Sequence, residues 1–430
     1  MTRRSNARTR GQHAAATERV RGFLRRSRAN WVTVPLLLAI TVAGCAGSSQ
    51  QASPSDSALR SLAAPTPIVA VTPPPTATPS PTPAPLACKA VTSLNTARAM
   101  SKAVALGDGR VLIAGGFDAK GPMKSAELYD SGTGKFTRTG SMSVARYDFA
   151  AILLRDGRVL VAGGGYMSTA LASAEIYNPK TGKFTRTGSM AKARGDAAAA
   201  LLPDGEVLVS GGFGPSGSLA SAEIYNPASG KFTPTGSMTA MRGDPGATSL
   251  PDGRVLIAGG LDGSDVLAIA EIFDPGAGKF AATGSMATAR EGFSATLLQN
   301  GKVLVAGGVT SFSTGQATAS AELFDPASGR FSPTGSMTSP RLLLSATRLA
   351  DGRVLAAGGR SGLAGTSLAS TELYDSSSGT FNPSGPMTTA REYQTATLLP
   401  SGAVLFAGGK SQGTSAASYV GQMTSAEVCG

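Results

Sequence analysis

Two charged side chains recur once in each copy of a segment that is repeated seven times between residues 94 and 430. The recurring arginines are Arg98, Arg146, Arg194, Arg242, Arg290, Arg341 and Arg391. The recurring glutamates are Glu127, Glu175, Glu223, Glu271, Glu322, Glu372 and Glu427. A ring of guanidinium groups could bind a carboxylate or a sulfate. Because the two sets match in number and both begin predicted strands at one rim, we favour structural ion pairs that neutralise each other.

The sequence contains only one histidine. The one histidine, His13, lies in an N-terminal segment that we expect to be removed. Without histidine, the remaining chain cannot form a histidine acid–base relay or a serine triad of the usual kind. A histidine-ligated copper site is excluded for the same reason. We therefore predict neither a metal nor a cofactor.

Two tripeptides in the repeats match a short binding motif. Arg194-Gly-Asp196 and Arg242-Gly-Asp244 have the sequence of the integrin-binding tripeptide. Each begins at the recurring arginine of its own repeat, so we interpret both matches as coincidences. A short motif without structural context carries little functional weight.

The repeat also determines the elements that must position these residues. Its diglycines are 48 to 51 residues apart and begin at Gly115, Gly163, Gly211, Gly259, Gly307, Gly358 and Gly408. In the second copy, residues 149–154 and 158–162 are apolar runs joined by Asp-Gly, a strong hairpin signal because glycine accepts a positive φ. Residues 174–178 and 183–187 follow, joined by a turn with proline and glycine. Each copy is predicted to form four antiparallel strands, a to d, as propeller blades do.

Seven such copies with a diglycine after strand b resemble the Kelch β-propeller family. The resemblance implies an all-β, seven-bladed Kelch-type propeller of four-stranded antiparallel blades over residues 86–430. Kelch blades usually carry a tryptophan in their outer region. This chain instead has strand-d phenylalanines, at Phe136, Phe184, Phe232, Phe280, Phe331 and Phe381. Some Kelch propellers are copper oxidases, an activity that the missing histidines exclude here.

The two ends of the repeat region predict how the ring closes. The last copy ends after strand c, and residues 88–94 align without gaps on residues 136–142, which begin a strand d. The N-terminal strand should therefore complete the seventh blade as its outer strand, which removes free sheet edges. In this alignment Cys88 and Cys429 occupy the facing positions of aromatic residues in the other blades. We predict a disulfide between them, the alternative being two buried free thiols that fill the aromatic positions.

The loops between strands b and c predict the functional face. Every change in repeat length falls in these loops, whose rim also receives the three residues after each recurring arginine. Variable loops on a rigid scaffold are where binding sites usually lie. We predict an asymmetric ligand site on this b–c face. The predicted contact residues are Tyr147, Asp148, Tyr166, Glu291, Phe312, Arg360, Glu392, Tyr393 and Tyr419.

The N-terminal region has the composition of an export signal. Positive charges in residues 1–30 precede an apolar run from Trp31 to Val42. At about 18 Å of helix, this run is too short for a bilayer core of about 30 Å. It ends in Val-Ala-Gly-Cys45, which resembles the lipobox of bacterial lipoproteins. The resemblance implies cleavage before Cys45, lipidation of its thiol, and export to the cell surface or periplasm; an uncleaved anchor and ordinary secretion are the alternatives.

Charge and composition divide the chain into three parts. Nine basic residues and one acidic residue precede Cys45, so the net charge of +12 falls to +4 for the remainder. The basic excess thus belongs mostly to the targeting segment, and we expect no nucleic-acid partner. Residues 45–85 are rich in serine, threonine and proline and cannot bury a core. We predict a signal peptide over 1–44, a disordered tether over 45–85 and a propeller over 86–430.

Three functional hypotheses follow from these features. The first is a non-enzymatic, monomeric, lipid-anchored propeller that binds an unidentified protein or glycan through its b–c face. The alternative is a metal-independent carbohydrate-active enzyme similar to the sialic-acid mutarotases among bacterial Kelch proteins. It would require arginine and glutamate side chains that are free of each other at the channel mouth. The third is a purely structural envelope protein.

Overall fold

The computed structural model describes residues 85–166, 169–411 and 421–430. The predicted lipidation site Cys45 and the predicted contact residue Tyr419 lie outside these ranges. Within them, all regular structure consists of β-strands. No helix in the described part of the chain is long and apolar enough to cross a membrane.

Seven four-stranded antiparallel sheets form the blades, which we number in chain order. Strand a spans Lys102–Ala105, Ala150–Leu153, Ala198–Leu201, Gly246–Ser249, Ser294–Leu297, Ser345–Arg348 and Thr395–Leu398. Strand b spans Arg110–Ala114, Val159–Ala162, Val207–Ser210, Val255–Ala258, Val303–Ala306, Val354–Ala357 and Val404–Ala407. Strand c spans Ala126–Asp130, Ala174–Asn178, Ala222–Asn226, Ala270–Asp274, Ala321–Asp325, Thr371–Asp375 and Ala426–Cys429. Strand d spans Lys135–Arg138, Lys183–Arg186, Lys231–Pro234, Lys279–Ala282, Arg330–Thr334, Thr380–Ser384 and, for blade 7, Cys88–Ala90. The predicted seven-bladed propeller is confirmed.

The N-terminal strand closes the ring. Cys88–Ala90 pairs with Ala426–Cys429 as the outer strand of blade 7, and Cys88 lies directly opposite Cys429. The two cysteines form a disulfide across 341 residues of sequence, as predicted. In the other six blades an aromatic pair occupies these positions, for example Tyr177 and Phe184, whose ring centroids are 4.7 Å apart. A covalent link therefore stands where the other blades have a cross-strand aromatic contact.

The core lies between successive blades. Strand b is buried along its apolar residues in every blade, because each sheet is covered on both faces. Between blades 1 and 2, for example, Leu112 and Leu128 belong to the same cluster as Val159, Val161 and Tyr177. Each strand a contacts strand a of the next blade, and strand a of blade 7 contacts that of blade 1. The seven strands a therefore surround the central channel.

The b–c connections contain structure that the sequence did not predict. In blades 1 to 4 each connection forms a hairpin of two-residue strands: Phe117–Asp118 with Gly121–Pro122, Gly165–Tyr166 with Thr169–Ala170, Phe213–Gly214 with Gly217–Ser218, and Leu261–Asp262 with Asp265–Val266. In blades 5 to 7 the longer connections form isolated bridges instead. Two paired residues on each side are too few to leave a recognisable hydrophobic pattern.

Candidate functional site

The recurring arginines and glutamates are paired within each blade. In blade 1 the Arg98 Nη2 donates to Glu127 Oε1 at 2.9 Å, and Nη1 donates to the Gly115 carbonyl at 2.9 Å. The second oxygen of Glu127 accepts the Asn95 amide at 2.7 Å. All seven pairs have N–O distances of 2.7–3.1 Å, and the arginines are fully buried. These guanidinium groups bind the protein's own carboxylates and strand-end carbonyls, so they are not available to a ligand.

Backbone hydrogen bonds join several neighbouring blades at the b–c end of the central channel. The second residues after the recurring arginines lie here, and we call them the mouth ring: Met100, Asp148, Asp196, Asp244, Gly292, Leu343 and Tyr393. The Asp196 amide donates to the Asp148 carbonyl at 2.9 Å, and the Asp244 amide donates to the Asp196 carbonyl at 3.0 Å. Similar bonds link Asp148 to Met100, Met100 to Tyr393 and Leu343 to Gly292. These bonds therefore join neighbouring blades at five of the seven junctions, immediately before their strands a begin.

Six non-glycine residues of the mouth ring have a left-handed backbone. Their φ angles range from 46° to 56°. This region is unfavourable for residues with a Cβ, and least unusual for aspartate. Met100, Leu343 and Tyr393 are therefore the most strained members. Such strain is retained only where surrounding structure imposes it, and it is often found at functional sites.

One side of the mouth ring is acidic. Asp148, Asp196 and Asp244 come from blades 2, 3 and 4, and Glu291 of blade 5 lies within hydrogen-bonding reach of Asp244. We call these four residues the acidic arc. Their side chains are half-buried. Among the described residues, no cationic nitrogen lies within 4.0 Å of any of the four carboxyl groups.

The environment of the acidic arc favours protonated carboxyl groups. Burial raises the pKa of Asp148 to about 6, an effect that the Lys102 ammonium opposes and the charge of Asp244 adds to. Burial, followed by the charges of Asp148 and Asp244, raises the pKa of Asp196 well above its ordinary value. Burial and the neighbouring Asp244 do the same to the pKa of Glu291. The arc therefore titrates nearer to neutral pH than isolated carboxyl groups would.

The opposite side of the mouth ring is apolar and aromatic. It consists of Leu343, Tyr393 and Met100, from blades 6, 7 and 1. Burial raises the pKa of the Tyr393 hydroxyl well above its ordinary range, and the charges of Asp148 and Glu291 add to the shift. The Tyr393 side chain therefore interacts electrostatically with the acidic arc. A ligand at the mouth would contact carboxyl groups on one side and apolar surface on the other.

A second charged cluster lies at the junction of blades 6 and 7. Buried Glu392 lies between Arg360, whose Nε is 3.7 Å from Oε2, and Lys410, whose Nζ is 3.4 Å from Oε1. We call these three residues the charged triad. The Lys410 Nζ is also 5.7 Å from the centre of the Tyr393 ring. Burial raises the pKa of Glu392, while Arg360 and Lys410 oppose the shift.

The b–c loops of blades 5 and 6 enclose a shallow groove of about 400 Å³. Phe312 lines it and is 41% exposed, and Leu363 lines its other side. The loops are joined where the Leu363 amide donates to the Gly315 carbonyl at 2.8 Å. Of the predicted contact residues, Phe312 is thus exposed but belongs to this groove and not to the channel mouth.

The predicted contact residues divide into two groups. Asp148, Glu291, Glu392, Tyr393 and Arg360 come together at or beside the channel mouth, although Arg360 and Glu392 are buried. Two others lie elsewhere on the same face: Tyr147 packs edge-on against Phe117 of blade 1, and the Tyr166 backbone lies in the small hairpin of blade 2, its side chain being outside the description.

Four residues of the mouth were missed from the sequence: Asp196, Asp244, Lys102 and Lys410. The two aspartates belong to the Arg-Gly-Asp tripeptides that were interpreted as coincidences. A usable signal was present, because aspartate occupies one repeat position in three consecutive copies and in none of the others. The lysines gave no comparable signal, since their proximity to the carboxyl groups depends on how the blades are arranged in the ring.

The raised pKa of Asp148 predicts a gain in stability when its charge is removed. Because the folded protein keeps this proton to a higher pH than the unfolded chain, stability from this group is present at low pH and is lost as the pH rises from about 4 through 6. Asp148→Asn is expected to be more stable than the native protein at pH 8, by at most about 3 kcal/mol, and the difference should narrow toward pH 4. Urea unfolding at both pH values measures it.

Asp108→Asn is the matched control on the opposite rim. A hydrogen bond from Arg110 lowers the pKa of Asp108, so its charge stabilises the fold above pH 4 and the substitution should not increase stability at pH 8. If Asp148→Asn were less stable than the native protein at pH 8, the prediction that ionised Asp148 destabilises the fold would be wrong.

Comparisons with known proteins agree with the architecture. Residues 98–143, 148–191 and 196–239 match the Kelch motif. No curated protein matches the chain by sequence. Among solved structures, a fungal alcohol oxidase of the AA5 family in complex with copper is similar, with a TM-score of 0.66 and 18% identity over 80% of this chain and 76% of that one. At this identity the likeness concerns the fold alone.

The residues of this chain do not fit a copper site. Its one histidine, His13, lies outside the described residues. Among the described residues, the one group of three ligand atoms within 4.8 Å of each other comprises Cys88, Glu427 and Cys429, and both sulfurs are already joined in the disulfide. The described part of the chain therefore offers no imidazole ligand for a copper site.

Proposed function

We propose that this Kelch-motif propeller is an exported, lipid-anchored binding module that presents its b–c face to a protein or glycan at the cell surface or in the periplasm. The recurring ion pairs support this proposal, because all seven arginines are fully buried against their glutamates and are not exposed to a substrate. The anchor rests on the sequence around Cys45, and the binding function rests on the channel mouth.

The single observation that carries the proposal is the asymmetry of the mouth ring. Seven equivalent positions in a repeated scaffold hold three aspartates on one side and Leu343, Tyr393 and Met100 on the other. A purely structural ring would not need carboxyl groups that burial disfavours and that have no cation within 4.0 Å among the residues that the structure describes. Charged groups that lower the stability of the fold are typical of sites that act on a ligand.

One observation favours catalysis as a second candidate. Asp244 and Glu291 are neighbouring carboxyl groups, and burial together with the charge of Asp244 raises the pKa of Glu291. Such a pair can act as a general acid in a metal-independent reaction on a carbohydrate. NMR can test this function by detecting changes at the anomeric carbon of any bound glycan. The native protein is compared with Glu291→Gln, which lacks the proposed acid. A bound glycan that stays unchanged would favour the binding module.

Binding should depend on the acidic arc and not on the opposite rim. The full exported chain is tested on a glycan array and in a pull-down from cell-surface extracts, together with Asp148→Asn/Asp196→Asn. The variant is expected to lose at least about tenfold in affinity for the captured ligand, equivalent to about 1.4 kcal/mol. Removing two charges should not unfold it, for the reason given for Asp148 alone.

Asp108→Asn/Asp156→Asn is the control, because these aspartates pair with Arg110 and Arg158 at the a–b turns of blades 1 and 2. It should bind as the native protein does. Equal losses in both variants, or none in either, would place the binding surface away from the channel mouth.

A further inference from the structure

The shallow groove between the b–c loops of blades 5 and 6 is built by residues that blades 1 to 4 lack. These two loops span residues 309–319 and 360–369, eleven and ten residues, whereas the loops of blades 1 to 4 have eight. Phe312, Gln316 and Leu363 line the groove, which we call the loop groove. Extended loops that form a concave surface on a rigid scaffold are typical of binding sites.

Backbone contacts fix the two loops against each other. The Leu363 amide donates to the Gly315 carbonyl, and Gln316 forms a bridge with Gly362. The loops approach so closely that a Cβ on Gly362 would lie 3.1 Å from the Gly315 carbonyl oxygen. Within the second loop, the Gly365 amide donates to the Gly362 carbonyl at 2.9 Å. The loop groove is therefore formed in the absence of a ligand, which lowers the entropic cost of binding.

The loop groove has room for a ligand and presents accessible groups. Its volume of about 400 Å³ is within the range of small-molecule sites. The Phe312 side chain is 41% exposed, although burial of so large an apolar group would stabilise the fold. Gln316 is also exposed, and its carboxamide makes no hydrogen bond to any described residue. Ser313 and Thr314 add exposed hydroxyl groups to the lining. An apolar surface and an unpartnered amide thus lie side by side.

The composition of the loop groove indicates a neutral ligand. None of the described residues that line it carries a charge, so an ionic ligand would find no complementary charge there. Extended peptides often bind by adding a strand to a free sheet edge, but the backbones of these two loops already pair with each other. A pyranose ring fits both features of the lining, because it has an apolar face of C–H groups and a rim of hydroxyl groups that donate and accept.

We propose that the loop groove binds a ring of a neutral oligosaccharide, at a site separate from the channel mouth. The C–H face of the sugar packs on Phe312 and Leu363. Two adjacent hydroxyl groups exchange hydrogen bonds with the Gln316 carboxamide, which both donates and accepts. The inference goes beyond the proposed function, whose binding site is the acidic arc.

The first experiment screens the full chain against immobilised neutral hexasaccharides of glucose, mannose, galactose and N-acetylglucosamine. The hexasaccharide that binds best is then titrated by calorimetry into the native protein and Phe312→Ala. The variant should lose at least about tenfold in affinity, because it lacks the aromatic surface. Its thermal midpoint should not change, since a side chain that is 41% exposed contributes little to the core.

Met241→Ala is the matched control. Met241 is another large apolar side chain that is exposed, at 48%, but it does not line the loop groove. This control should bind the hexasaccharide as the native protein does. Gln316→Ala tests the polar part of the site, and we expect a loss of about threefold or more with no change in thermal midpoint.

The outcomes separate the loop groove from the proposed function. Native affinity in Phe312→Ala, or equal losses in Phe312→Ala and Met241→Ala, would overturn the loop groove. A hexasaccharide whose affinity falls only in Asp148→Asn/Asp196→Asn binds at the channel mouth, which would overturn the loop groove and support the proposed function. Capture of a protein that depends on Phe312, with no hexasaccharide bound, would also overturn the sugar site. A loss confined to Phe312→Ala and Gln316→Ala would support the loop groove, whatever the acidic arc binds.

Discussion

A Cys88→Ser/Cys429→Ser variant is expected to lose about 2–5 kcal/mol of unfolding free energy, a large part of the stability of most proteins. The disulfide joins the outer strand of blade 7 to the strand beside it across 341 residues of sequence. Without the bond, non-covalent contacts alone must keep the two ends together: three residues of strand pairing and a few flanking backbone hydrogen bonds, such as that from the Leu94 amide to the Thr424 carbonyl. Guanidinium chloride unfolding under oxidising conditions measures the loss.

An aromatic replacement separates the covalent link from the packing. Cys88→Phe/Cys429→Tyr installs the pair found in the other blades, where centroid distances are 4.7–4.9 Å. It should recover about 0.5–1.5 kcal/mol relative to the serine variant, and reducing agent should no longer shift its midpoint. If reduction left the native protein as stable as before, the bond would not be what closes the ring.

Arg194→Met is expected to cost about 3–5 kcal/mol, because it leaves a buried carboxylate without its cation. The Arg194 Nη2 donates to Glu223 Oε1 at 3.1 Å, and its Nη1 donates to the carbonyls of Gly211 and Ser221, both at 2.8 Å. The arginine is fully buried, and methionine can fill its volume but can donate to none of these acceptors. The change in unfolding free energy at pH 7 is the measurement.

Arg158→Met is the control within the neighbouring blade. Its guanidinium is 37% exposed and pairs with Asp156 at 2.7 Å on the surface, where such pairs contribute about 0–1 kcal/mol. A cost for Arg194→Met as small as that of the control would mean that the buried arginines are dispensable to the fold. It would return them to consideration as ligand-binding groups.

The fold could be predicted because its determinants are local and repeated. An Asp-Gly between two apolar runs specifies a hairpin, and seven such copies leave few alternatives to a propeller. The disulfide was predictable because Cys88 and Cys429 interrupt a pattern that the other blades keep, and facing positions of paired strands must touch. Both inferences needed only the order of residues within a strand pair.

The site was less predictable because it depends on the arrangement of whole blades. Variation between copies predicts Asp148 and Glu291, whereas Asp196 and Asp244 are obscured by the Arg-Gly-Asp tripeptides that contain them. The left-handed backbone of Tyr393 follows from hydrogen bonds between blades, which no local pattern records. Lys410 reaches Glu392 only because blades 6 and 7 bring their loops to one junction.

The mouth ring has a consequence for how such a protein diversifies. Each blade contributes one residue to the ring, and five of the seven junctions are held by backbone amide and carbonyl groups, which do not depend on the side chain. A single substitution in one repeat therefore changes one sector of the binding surface and leaves the other six in place. Ancestral repeats that began identical could acquire specificity one position at a time, without any change in the blades that carry them.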